Sequence, residues 1–61
     1  MEIYDWEDVI EYLLNVNSFY DHPKCKLTQS GGLIYIKEPG SKPIKRSPEN
    51  ALKFLNAHIQ F

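Results

Sequence analysis

The sequence predicts an α+β fold: a small single domain, residues 1–61, in the order α-β-β-(β)-α. Its sheet is expected to be antiparallel, with two or three strands, and both helices packed on one face. Three observations carry this expectation. Two segments have apolar residues at helical spacing behind recognisable caps, two runs between them favour strands, and a glycine pair separates those runs.

The first helix is predicted from Asp5 to about Asn17. Asp5 serves as N-cap and Asp8 stands at the capping-box position. At 3.6 residues per turn, Trp6, Val9, Ile10, Leu13, Leu14 and Val16 share one arc, with Tyr12 at its edge. Glu7, Asp8, Glu11 and Asn15 fill the opposite arc. Lys24 to Thr28 alternates polar and apolar residues, as a half-covered strand does, and Leu33 to Lys37 is rich in strand formers. Ser30-Gly31-Gly32 between them reads as a hairpin turn. Pro39-Gly40 suits the centre of a type II turn, and Pro43 to Arg46 offers a third, short strand whose proline fits an edge or a start. The last helix opens on Ser47 as N-cap, Pro48 at the first helical position and Glu49 in the first turn. Ala51, Leu52, Leu55 and Ile59 form its apolar stripe, which Phe54, His58 and Phe61 widen. His58 is accordingly expected to be partly buried.

Composition narrows the function classes. Of the 61 residues, 43% are hydrophobic and 13% aromatic, enough for a core and against disorder. A single cysteine allows no internal disulfide, and no apolar run approaches the length of a membrane span. The acidic start lacks the basic and apolar stretches of a secretory signal, so a cytoplasmic location is expected. So short a chain buries only about 60% of the surface its unfolded form exposes. A deep catalytic pocket would remove packing from a core with none to spare, which weighs against an enzyme.

The net charge of −1 conceals a split. Residues 1–22 hold six acids and neither Lys nor Arg. Residues 23–61 hold all seven cations with only Glu38 and Glu49. Alternation sorts the central residues: if Ile34 and Ile36 point at the helices, then Leu33, Tyr35 and Lys37 face outward with Lys24 and Lys26. The leading expectation is a non-enzymatic accessory or regulatory protein that binds another protein. Its size and style suit a modulator of host machinery encoded by a phage or mobile element. Glu7, Asp8 and Glu11, or the apolar spot of Leu33 and Tyr35, would make the contact. The alternative is a nucleic-acid-binding module using Lys24, Lys26, Tyr35, Lys37, Lys45 and Arg46. A second alternative is a small RNase-like toxin.

No cofactor or metal is expected. His22, Cys25 and His58 fall short of a zinc ligand set, Cys25 reads as a small buried apolar group, and no phosphate-loop pattern surrounds the glycines. The α-β-β-β-α order is similar to the small double-stranded-RNA-binding-like fold of HicA-type toxins. The likeness is architectural. Those toxins carry a histidine on the sheet after a glycine turn, and Ser30-Gly31-Gly32-Leu33 supplies none, so no residue role is transferred.

Overall fold

The computed structural model describes residues 1–61. The chain runs α1 (Trp6–Asn15), β1 (Phe19–His22), β2 (Cys25–Ser30), β3 (Leu33–Lys37), β4 (Ile44–Arg46) and α2 (Pro48–His58). The four strands form one antiparallel meander in the order β1-β2-β3-β4. Both helices lie on one side of it. No helix is long and apolar enough to cross a membrane.

The caps act as the residue types dictate. The Asp5 carboxylate accepts from the Asp8 amide at 2.9 Å, and the Asp8 carboxylate accepts from the Tyr4 amide at 2.9 Å. This pair satisfies one first-turn amide that the helix itself leaves open and the amide of Tyr4 just before the cap. Trp6, Val9, Ile10 and Leu13 then turn one face into the core. The helix stops at Asn15, where the amides of Val16 and Asn17 both bond the Tyr12 carbonyl. It is two residues shorter than expected, and Leu14 and Val16 are exposed rather than packed. The chain has to leave the helix there to begin a strand.

That strand, β1, is the element the sequence reading lacked. Its four residues pair with β2 from Phe19↔Thr28 to His22↔Cys25 around a tight turn at Pro23-Lys24. It brings the sheet to four strands and departs from the α-β-β-β-α order. The β2–β3 hairpin closes over Gly31 and Gly32, both at positive φ (59° and 80°), the backbone that a two-residue primed turn requires. The Ser41 amide bonds the Glu38 carbonyl at 3.1 Å across Pro39-Gly40, with Gly40 at φ 77°. These are the features of the expected type II turn. Beyond it β4 forms the edge, and Ser47 caps α2 by accepting from the Asn50 amide at 3.2 Å.

Register assigns the two sheet faces. Tyr20, Leu27, Ile36 and Ile44 make one cross-strand row toward the helices; His22 with Cys25, and Gln29 with Ile34 and Arg46, flank it. Leu27, Ile34, Cys25 and Ile36 join Trp6, Val9, Leu13, Ala51 and Leu55 in a single apolar cluster. Gln29 fastens the hairpin to α1, its side-chain amide donating to the Leu13 carbonyl at 3.2 Å.

Of the two histidines, His22 is buried and His58 is exposed, which corrects the expectation for His58. α2 buries Ala51 and Leu55, and His58 lies off that stripe against the Phe54 ring, with ring centroids 4.8 Å apart. His22 instead lies against Trp6 and Phe61, at 4.6 and 5.2 Å. Its Nδ1 accepts from the Lys24 amide at 3.1 Å, which leaves the proton on Nε2, 3.0 Å from the Phe61 carbonyl. Trp6 Nε1 donates to the Ile59 carbonyl at 2.6 Å, and Lys24 Nζ to that of Gln60 at 2.9 Å. Three side chains from two elements and a turn thereby hold three consecutive carbonyls and pin residues 59–61 across the core.

Candidate functional site: the uncovered sheet face

The face of the sheet turned away from the helices carries no covering element. Its middle row is Phe19, Thr28, Tyr35 and Lys45, one residue from each strand. A second row is Asp21, Lys26 and Lys37, and Ser30 with Leu33 completes the face at the hairpin end. Phe19 is 53% exposed, a large value for an aromatic side chain in a strand. Tyr35, Leu33 and Lys37 are half-buried by their neighbours, and Lys26 and Lys45 are exposed.

The electrostatics of this face are unbalanced. Lys26 stands directly opposite Lys37, a like-charge pair that costs a sheet stability. Asp21 flanks Lys26 in register, yet the molecule's one ion pair within 4 Å is Lys53–Glu49 on α2. Lys26, Lys37 and Lys45 therefore have no carboxylate partner. Lys37 Nζ donates to the Glu38 carbonyl at 3.1 Å, which steadies its stem without neutralising it. Beside this lysine pair is a recess of about 260 Å³, lined by residues of the β1–β2 turn and of the β3 end, including Lys24, Lys26, Lys37 and Glu38.

Of the residues expected to bind nucleic acid, Lys26, Tyr35, Lys37 and Lys45 share the face. Two do not. Lys24 sits in the turn and its ammonium reaches across to the Gln60 carbonyl. Arg46 pairs with Ile34 on the helix side and lies over the Phe54 ring, with its guanidinium carbon 4.2 Å from the centroid. Of the residues expected to bind a protein, Leu33 and Tyr35 are together on this face, whereas Glu7, Asp8 and Glu11 are on α1, behind the sheet. No single contact spans both groups. Asp8 is further committed to the Tyr4 amide, so only Glu7 and Glu11 remain free on that helix.

Phe19 was missing from the expected site. The signal was in the sequence: Phe19 and Asp21 alternate with Tyr20 and His22 just before a Pro-Lys turn, but the run is only four residues long.

Cys25 faces the core, and burial pushes its thiol above the ordinary range, with the Glu38 carboxylate adding to the effect. The neutral thiol is the form the fold favours. Its contribution to stability is complete below the unfolded thiol value of about 8.5 and is lost as pH rises through the higher folded value. In the native protein near neutral pH, Cys25 should react with a thiol reagent at least about 100-fold more slowly than in denaturant, as followed by absorbance. Equal rates would place the thiol at the surface. No three His, Cys, Asp or Glu side chains converge as a metal site would need.

Comparison with protein-family models, with characterised proteins and with solved structures gave no significant match.

Proposed function

We propose that the protein is a non-enzymatic binding module that holds an acidic segment of another protein on its uncovered sheet face. The observation that carries this reading is the grouping of exposed Phe19 with half-buried Tyr35 and Leu33 on the uncovered face, among three lysines without carboxylate partners. An apolar centre with a charged rim is the usual anatomy of a protein-binding patch. The aromatics supply burial, and the lysines select partners of opposite charge and steer their approach. A chain of this size has no core to give up for a pocket and acts by occupying a surface, which suits an accessory or regulatory role.

Nucleic acid remains the second reading because Phe19 joins Tyr35 in one row, giving two aromatic platforms beside lysines. The balance still favours protein. Moving Lys24 and Arg46 off the face leaves three cations beside Asp21, while Phe19 raises the apolar side chains from two to three.

The test starts by capturing a partner and measuring its affinity for four forms of the protein. These are the wild type, Phe19→Ser/Tyr35→Ser, Lys26→Glu/Lys45→Glu and Glu7→Lys/Glu11→Lys. The aromatic pair should weaken binding by about 100-fold or more, at two hot-spot contacts. The lysine pair should lower the association rate, and the helix variant should change affinity by no more than about threefold. Loss confined to the helix variant would move the site to α1. Oligonucleotide binding that falls steeply with salt and disappears in the lysine pair would replace the protein reading by the nucleic-acid one.

A further inference from the structure

Around the edge of β4 the chain carries a second cationic place, which shares only Lys45 with the sheet face. β4 ends on Arg46 and α2 begins at Pro48, and between these elements is a cleft of about 570 Å³. Its walls include Lys45, Arg46, Asn50, Lys53, Phe54 and His58, and no carboxylate lines it. Each cation is lightly committed. The Arg46 side chain makes no hydrogen bond or ion pair in the molecule, and its Nε is sealed from solvent with no acceptor. Such a buried donor ordinarily has a partner. The guanidinium carbon sits 4.2 Å from the centre of the Phe54 ring, and the terminal N–H groups have no partner within the molecule. Lys45 has no acidic neighbour within ion-pair distance. Lys53 meets Glu49 at 3.4 Å, but both side chains are largely in water, so the pair is easily given up.

We propose that this cleft is a binding site for a phosphate monoester dianion. Three cations, of which only Lys53 has a carboxylate beside it (Glu49, outside the cleft walls), suit a ligand carrying more than one negative charge in a small volume. A monoester near neutral pH carries nearly two, whereas a diester carries one per phosphate and spreads it along a chain. Arg46 offers the fork that matches two phosphate oxygens. Lys45 and Lys53 supply point charges, and the Asn50 side chain lies in the first turn of α2, where the helix dipole also favours an anion. Phe54 is already flanked by Arg46 and by His58, so the cleft offers charge and donors rather than a free ring for a base. The two readings share Lys45, and Arg46 and Lys53, which lie off the sheet face, test the cleft separately.

The direct experiment is a titration of isotope-labelled protein with inorganic phosphate at constant ionic strength, followed by NMR at the Arg46 Nε–H and the amides of residues 45–58. Saturable shifts confined to these groups are expected, with a dissociation constant of about 1 mM or below. A phosphoserine peptide should shift the same signals, and its unphosphorylated form should not. Arg46→Lys keeps the charge and removes the fork, and should weaken binding about tenfold. Lys53→Gln, at an exposed position that leaves the fold intact, should weaken it by about threefold or more. Shifts that rise without saturation, or that chloride reproduces, would overturn the proposal. So would an oligonucleotide that occupies the cleft as tightly per phosphate, since that would make it a general polyanion surface.

Discussion

Replacing Trp6 by alanine is expected to abolish the folded state at 25 °C. Trp6 is the largest fully buried side chain, 2% exposed, and it opens α1 at the point where the helix meets the residue 59–61 segment. Its ring packs edge-on to Phe61 at 5.1 Å and tilted on His22 at 4.6 Å. Truncation removes these contacts and leaves a cavity, which costs about 3–5 kcal/mol in other small proteins. It also orphans the Ile59 carbonyl that Nε1 now satisfies, at about 1–3 kcal/mol. A chain of this length has about 3–9 kcal/mol of stability altogether. The loss therefore equals or exceeds what is available for much of that range, and far-UV circular dichroism and amide dispersion should both report an unfolded chain. Trp6→Phe separates the two parts of the effect. It keeps most of the ring and removes only the donor, so it should fold with a midpoint lowered by roughly 5–15 °C. Unchanged stability in Trp6→Phe would mean that the bond to Ile59 contributes nothing.

What the sequence made legible were the features decided by near neighbours. Asp5 and Ser47 announced their helices because a cap is a contact over three residues. Gly31-Gly32 announced the hairpin because primed turns need positive φ, and Ile34 with Ile36 set the register because the period of a strand is two. The features that escaped depend on distant chain. β1 is too short to declare itself and is held by β2 and, through His22, by the Phe61 carbonyl 39 residues away. A helical wheel places His58 beside the apolar stripe, but it cannot show that only Ala51 and Leu55 of that stripe reach the core from within α2. Alternation predicts Lys24 outward with Lys26, and Arg46 follows Lys45 in the short third strand, yet the structure takes both off the face. Lys24 is in a turn, outside the alternation, and Arg46 is one residue beyond Lys45 and so on the opposite face. The same errors moved the candidate site: it lost two cations and gained Phe19, which changed its character more than its position.

A lysine placed at position 34 and one placed at position 35 should have opposite consequences, although the substituted residues are adjacent. Ile34 lies on a central strand, fully buried and cross-paired with Gln29 and Arg46. Ile34→Lys would bring an ammonium into the apolar cluster beside an existing guanidinium, with no carboxylate in reach. A buried charge without a partner costs more than about 4 kcal/mol, so this variant should be unfolded or nearly so at neutral pH. Tyr35 points to the uncovered face, between Thr28 and Lys45. Tyr35→Lys loses cross-strand contact and adds a like charge opposite Lys45, which costs about 1 kcal/mol and leaves the fold intact. Its defect should appear in partner binding instead. Urea unfolding of the two variants thus reads the face assignment directly, before any partner is known. If position 35 proved intolerant and position 34 permissive, the sheet would be turned the other way. The residues assigned to the open face would then belong to the core.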